Sequence, residues 1–566
     1  MQTKCPLFSD LFSFCLLGIW TIFAFPAWCH SQEPAWHWVR EGIAFDHGPK
    51  QDTHCEIRLK GQPIPVQEVR LNGGRRWLKF AWLSGQNYEI RLNHQHYQAT
   101  TPQRPTPWNL YTFSLEDVSS AATAGVAPDA VVKFAPDSRR FAVGSYGGWL
   151  RVMDALSGET LHQERISEGM VKRLAWSPDG KQLYAGEQSP DAELFALDTE
   201  TYERLWSLRL ADTLETSRPP ANDIYGRYTL PAVFDLQVSQ DGRIFAAGLH
   251  SWADDAGLHN RSQLWSVSDT GEILWRYPAE GAAPVTIPSF GMDVTGQRLA
   301  FFAQQSQPAV ENNPIPPGIL YLLHAQSGKL LDAYSFQPQR HFQRVESWDS
   351  VTVSADGARA AIGLSDGRAF LFAVEEGDEP ALGSLRLLKQ LDLGSPVTIG
   401  QIPIVAACSY ARFHGDQLFL QTQNTHIPFG SPLTALQPPT THRGANTLTV
   451  TNREGQRQWL YRGPFSLTGS WSNIPPQSSA APRWLLTTCR ELPGAPEPSQ
   501  FGALLFDLSQ SGGGRDRLNY YYPTSGPVFS HADISPDGRL FSLIEIPTLP
   551  PGKRDLMGKH QVHIVH

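Results

Sequence analysis

His250, Trp252, Asp254, Asp255, His259 and Arg261 crowd one short stretch of the chain. Imidazoles and carboxylates this close suit divalent-metal binding or proton transfer, and a solvated polar loop has the same composition. Tyr225, Arg227 and Tyr228 precede them, and Arg340, His341, Arg344 and Trp348 follow. Guanidinium beside aromatic rings suits a planar or anionic ligand or the centre of a protein contact, with decoration of a loop rim as the plainer reading. Near the N-terminus His37, His47, His54, Cys55, His94 and His96 form a second set. His94 and His96, two apart on a strand, would share one face, and processing after Cys29 would leave His30 as a terminal amine–imidazole chelate. No metal site is predicted from either set. Asn260-Arg261-Ser262 reads as a glycosylation sequon. No GxSxG, P-loop, HExxH or Rossmann glycine pattern stands in the right context.

What must position these residues is a repeat. A short apolar strand, a Pro-Asp-Gly-type turn, an Ala/Gly-rich strand, a third strand, a Ser/Thr-Gly turn and a fourth strand recur from about Ala130 onward. Ser177-Pro178-Asp179-Gly180, Gln240-Asp241-Gly242, Ala355-Asp356-Gly357 and Ser535-Pro536-Asp537-Gly538 mark the first turn. The pattern weakens in the sixth and seventh copies, and the last copy holds three strands. Leu110 to Leu115, an orphan strand before the first copy, supplies the missing fourth and closes a ring without exposed edges. The expected fold is all-β: an eight-bladed (alternatively seven-bladed) β-propeller over residues 110–566. Residues 33–105 read as a small β-sandwich-like module, with a Pro-rich connector from Thr101 to Pro107.

Composition agrees with many short strands: Gly 47, Pro 44 and Trp 17 in 566 residues, with 18% charged. A net charge of −8 and no long basic run exclude nucleic acid as a partner class. Leu11 to Phe25 is largely apolar and precedes Pro26 and Ala27-Trp28-Cys29, so residues 1–29 read as a signal peptide of a periplasmic or secreted protein. The alternative is a membrane anchor through residues 11–28. After processing Cys55, Cys408 and Cys489 remain. An oxidising compartment permits a Cys408–Cys489 disulfide, and isolated buried thiols are the other reading. Absence of CxxCH excludes c-type haem.

Loop lengths point to one face. The a–b and c–d turns open together and are short nearly everywhere. The insertions, among them Ala211 to Leu230, Ser251 to Ser262 and Gln423 to Asn446, are b–c or d–a connections and open on the opposite face. Long loops on one rim of a rigid scaffold are where binding and catalysis concentrate.

Asp198-Thr199-Glu200-Thr201 to Trp206 and Asp269-Thr270-Gly271-Glu272-Ile273-Leu274-Trp275 resemble the Asp-x-x-Thr-Gly-x-x-x-Trp motif of PQQ-like quinoprotein propellers. The Ser-Pro-Asp-Gly turns resemble those of WD40-like propellers. The resemblance implies architecture, since the matched residues make turns and inter-blade packing. Quinoprotein dehydrogenases pair this fold with adjacent cysteines over the cofactor, and their absence here argues against PQQ. The expectation is an exported, non-catalytic propeller that binds a protein or small ligand on its long-loop face. The alternative is a quinoprotein-like oxidoreductase or a metal-dependent enzyme with its site at the axis.

Overall fold

The Ser-x-Asp-Gly turns set the local scale of the fold. The hydroxyls of Ser177, Ser239, Ser354 and Ser535 donate to Asp179, Asp241, Asp356 and Asp537 at 2.7, 2.5, 2.7 and 2.6 Å. The glycine that follows, at φ +71° in Gly180, turns the chain back on itself. A computed structural model describes residues 36–46, 54–93, 95–214, 229–254, 257–283, 285–287, 289–304, 318–339, 342, 347, 350–376, 383–428, 433, 436–463, 466–473, 481–490, 501–550 and 553–566.

Over these residues the chain is all-β, built of antiparallel four-stranded sheets in sequence order. Sheet one is Val131–Phe134, Arg140–Gly144, Trp149–Asp154 and Thr160–Arg165, and sheet two is Met170–Trp176, Gln182–Gln188, Glu193–Asp198 and Arg204–Arg209. Sheet three is Ala232–Val238, Ile244–Asp254, Gly257–Val267 and Ile273–Tyr277; it joins sheet two through one pairing, Gln188 with Ala232. Sheet four is Phe290–Met292, Arg298–Ala303, Gly318–His324 and Lys329–Phe336; sheet five is Val351–Val353, Arg359–Gly363, Arg368–Glu376 and Gly383–Asp392. Sheet six is Cys408–His414, Gln417–Thr422, Thr447–Thr451 and Arg457–Arg462. Sheet seven is Ser466–Ser472, Trp484–Arg490, Phe501–Asp507 and Leu518–Thr524. Sheet eight is Val528–Ile534, Phe541–Glu545 and Gln561–Val565, with Asn109–Ser114 paired antiparallel to the third strand as its fourth.

First strands of successive sheets are tied side by side by polar contacts to backbone. Asp533 accepts from Phe134 N at 2.8 Å, and Trp176 Nε1 donates to Lys133 O at 3.1 Å. Gln237 donates to Phe290 O at 2.8 Å, Thr352 accepts from Phe413 N at 3.1 Å, and Tyr410 donates to Ser470 O at 2.9 Å. Between the sheets lie apolar cores, such as Phe302, Phe336, Ile362 and Phe372 between sheets four and five. Burial of such side chains contributes roughly 1.5–3 kcal/mol each.

Outer strands lock onto the next sheet through its c–d turn. Trp206 Nε1 donates to Asp269 O, and Trp275 Nε1 to Ala325 O, both at 2.8 Å. Each indole lies over the turn glycine: a Cβ on Gly271 would stand 2.7 Å from the Trp206 ring. Gly271 and Gly242 share φ +86°, yet Gly242 has no atom within 4 Å of a built Cβ. Gly271→Ala is therefore expected to cost about 1–3 kcal/mol more than Gly242→Ala, because it adds overpacking to the same backbone strain. Urea midpoints of the two variants check this, and equal costs would show that the indole contact adds nothing.

Residues 36–100 form two four-stranded sheets, one of Trp36–Val39, Gly42–Phe45, Arg76–Lys79 and Gln67–Arg70, the other of Gln62–Ile64, Cys55–Leu59, Asn87–Leu92 and Gln95–Thr100. They enclose one core, with Trp38, Ile43, Phe45 and Leu78 facing Ile57, Tyr88, Ile90 and Leu92. This unit and the connector after it lie against a–b and c–d connections of the sheets. Arg40 donates to Gly538 O at 2.8 Å, Asn72 to Ser157 O at 2.6 Å, and Arg104 to Arg515 O at 2.8 Å. The Trp77 ring meets His566 at 4.3 Å between centroids.

The Cys408–Cys489 disulfide is not formed: both are free, buried thiols. Cys408 packs with Ala361, Leu371 and Phe413, whereas Cys489 packs with Leu467, Leu485 and Leu504 in a different core. Burial pushes both thiols up to about 12, which leaves them unreactive.

Candidate functional site

The segment read as an insertion in the third repeat, Ser251 to Ser262, is a regular strand pair rather than a loop. Strands Ile244–Asp254 and Gly257–Val267 continue past the end of the sheet on the b–c side. Their register sets His250 opposite Arg261, Ser251 opposite Asn260, and Trp252 opposite His259. A period of two then places His250, Trp252, His259 and Arg261 on one face of the hairpin. The rings form a ladder: His250 to Trp252 at 4.7 Å and Trp252 to His259 at 5.1 Å, both stacked. The Arg261 guanidinium stands 5.7 Å from the Trp252 centroid. Cross-strand aromatic pairs of this kind stabilise a hairpin by roughly 0.2–1 kcal/mol each, so a sequence poor in β-branched residues still extends.

His250, at the root of the ladder, is fully buried, and burial lowers its pKa against the opposing pull of the Thr229 backbone. A neutral imidazole there serves as a wall. Trp252, His259 and Arg261 are only half-buried. They offer a flat aromatic surface edged by a cation, suited to a planar or anionic group or to a protein side chain. On the reverse face Ser251 donates to Asn260 Oδ1 at 2.5 Å, and Asn260 is buried, so the sequon carboxamide is not presented to solvent.

Thus four of the six clustered residues come together. Asp254 ends the first strand of the hairpin. Asp255 lies outside the described residues, as do Tyr225, Arg227, Tyr228, Arg340, His341, Arg344 and Trp348, and the segment 1–29 with His30, His47 and His94. His37 and His96 each face a carboxylate, Asp46 at 3.8 Å and Glu89 at 3.1 Å. Among the described residues no group of three or more His, Cys, Asp or Glu is placed to hold a metal ion.

Sequence reasoning missed a charged cluster at the first strands. Asp129, on the connection entering sheet one, accepts from Lys172 of sheet two and stands 2.6 Å from His531 Nε2 of sheet eight. Burial favours its neutral form, but the His531 and Lys172 charges outweigh that and hold Asp129 well below the usual carboxylate range. Lys133 meets Asp533 at 3.6 Å nearby. Glu187, buried at the b–c end of sheet two, is raised to about 7 by burial, against hydrogen bonds from Ser189 and Ser167. The available signal was a charge on an otherwise apolar strand, as in Val131-Val132-Lys133-Phe134; the partners lie hundreds of residues away and give no local pattern.

A family model described as outer membrane protein assembly factor BamB matches residues 147–379. No curated protein matches the chain. Among solved structures, the C-terminal WD40 domain of Sif2 is 12% identical, covering 78% of this chain and 96% of that one, with a TM-score of 0.43. U3-55K is 11% identical, covering 81% and 99%, with a TM-score of 0.41. The Cps50 (Swd1) β-propeller domain of Myceliophteria thermophila is 10% identical, covering 80% and 98%, with a TM-score of 0.38. The four-stranded sheets repeated in sequence order and their Trp-over-Gly seams are the architecture of a β-propeller, and residues 147–379 are similar to the PQQ-like repeat model.

Proposed function

We propose that this is an exported, non-catalytic β-propeller of eight blades, ringed shut by strand 109–114 and preceded by a small β-sandwich-like module. It binds a protein or small ligand on the face where its b–c and d–a connections open. The observation that carries this reading is the hairpin ladder of His250, Trp252, His259 and Arg261, extended beyond its sheet on that face. A fold needs no such extension, and its aromatic and guanidinium content is that of a recognition surface. The N-terminal unit supports the same choice, since its contacts with Gly538 and Ser157 fall on an a–b and a c–d turn, away from that face. The family description, an outer-membrane assembly factor, is in keeping with an exported chain.

Photo-crosslinking tests the face. A benzoylphenylalanine in place of Trp252 is expected to yield discrete adducts in the cell, and one in place of Ser327, on the short c–d turn of sheet four, none. Adducts from the short-turn position alone would sink the reading. So would a stoichiometric metal or quinone in the purified protein, seen by elemental analysis and absorption spectroscopy.

A further inference from the structure

A concavity lies at the seam between the closing strand and sheet one, lined by none of the ladder residues. It measures about 220 Å³ and is lined by Leu115, Glu116, Val143, Ser145, Trp149, Arg151 and Gln163. Leu115 follows the closing strand, and Trp149 and Arg151 stand two apart on the third strand of sheet one, so both project to the same side.

Its chemistry is asymmetric. Leu115 and Val143 supply an apolar floor, and Trp149 beside them keeps 38% of its surface exposed. Arg151 is half-buried, its guanidinium 5.4 Å from the Phe113 centroid. Its one hydrogen bond among the described residues is a long one, 3.5 Å to Ser114 O, and no carboxylate there lies within ion-pair distance of it. Burial disfavours its charge, and Glu116 only partly compensates. Glu116 itself is engaged elsewhere, since its Oε1 accepts from Gly147 N. A cationic ligand would meet Arg151 directly, and a purely apolar one would leave the guanidinium half-desolvated without an anion. An anion carried on a flat apolar group satisfies both halves of the site: carboxylate to Arg151 and the exposed Gln163 carboxamide, ring against Trp149.

We propose that this seam pocket binds a carboxylate attached to a planar apolar group, either a free aromatic acid or the C-terminal end of an aromatic-terminated peptide. The probes are 3-phenylpropionate and a tetrapeptide ending in phenylalanine, the latter with a free and with an amidated C-terminus. Binding to the full chain is read by calorimetry and by saturation-transfer NMR.

Wild type is expected to bind 3-phenylpropionate at millimolar concentration. Arg151→Met is expected to weaken binding about tenfold or more, the size of a lost charge-assisted hydrogen bond. Glu116→Gln is expected to tighten it about threefold by removing a like charge near the ligand. A change that merely loosened the seam would weaken binding in both variants, so the opposite signs are diagnostic. Trp149→Ala, at a half-exposed position, carries the test if Arg151→Met does not fold by circular dichroism, and it too is expected to weaken binding about tenfold.

Binding of the acid and the free-carboxylate peptide but not the amide supports a chain end as the source. Binding of the acid alone supports a free aromatic acid. No binding of either by wild type, or equal binding by Arg151→Met or its Trp149→Ala substitute, overturns the proposal.

Discussion

Replacing Glu545 with alanine is expected to cost about 3–5 kcal/mol, because it strips a buried anion from four donors at the closing sheet. Glu545 is fully buried, and its Oε2 faces His563 Nε2 at 2.9 Å and Gln561 Nε2 at 3.0 Å. Its Oε1 accepts from Ser525 Oγ at 2.6 Å and Lys559 N at 2.9 Å. Burial pushes the carboxyl up, but these hydrogen bonds outweigh it and hold Glu545 below its ordinary value. With Nε2–H given to Glu545, the other nitrogen of His563 accepts from the Tyr522 hydroxyl at 3.0 Å and lies 3.2 Å from Thr112 Oγ1. Tyr522 belongs to sheet seven and Thr112 to the strand 109–114, so one carboxylate orients a network spanning the seam. Glu545→Gln keeps an acceptor and is expected to cost about 1–2 kcal/mol. Urea midpoints and proteolytic release of the segment before Val131 read the effect. An alanine variant within about 1 kcal/mol of wild type would show that the network does not hold the closure.

Mild acid is expected to destabilise the fold. His250, His414, His426, His442, His560 and His566 are all buried or nearly so, and burial lowers the pKa of each. His414 is pushed down to about 3 by burial, with Tyr410 and Ser472 on its two nitrogens at 3.1 and 2.8 Å. The folded imidazoles refuse protons that the unfolded chain accepts, so stability falls as pH drops below about 6.5, by about 1.4 kcal/mol per pH unit for each imidazole that stays neutral. Glu187 works the other way. Its folded value of about 7 exceeds its ordinary 4.5, so it gains stability as pH falls across that window and offsets one imidazole. The sum favours loss between pH 6.5 and 5. Denaturant midpoints across that window should decline, and His414→Gln should flatten the slope by one proton. A midpoint that rises on acidification would mean that buried carboxyls dominate the titration.

How much of this could be read in advance follows the range of each interaction. Asp179 bonds Ser177, Lys181 and the turn between them, all within a few residues, and the same chemistry recurs at Asp241, Asp356 and Asp537. Such turns announce themselves in the sequence. Trp206 and Trp275 were legible as part of a motif, but not the reason for their spacing, which is the glycine of the following sheet. The cluster of sheet three was visible as composition and read as a loop, because stacking of Trp252 on His259 needs the register of both strands. The thiols Cys408 and Cys489 offered a pairing on compartment grounds that the sheets forbid, since each is committed to a different core.

By itself, the sequence determined the all-β class and the recurring four-strand unit, because those rest on contacts between near neighbours. Tertiary structure alone decided that the concentrated polar stretch is an extended hairpin with a ring ladder on one face, that Asp129 meets Lys172 and His531, and that Trp149 and Arg151 share a pocket with Leu115. The physical reason is distance along the chain. Strand 109–114 pairs with Gln561–Val565 at the far end of the chain, so side chains that meet across that seam leave no local pattern in the sequence.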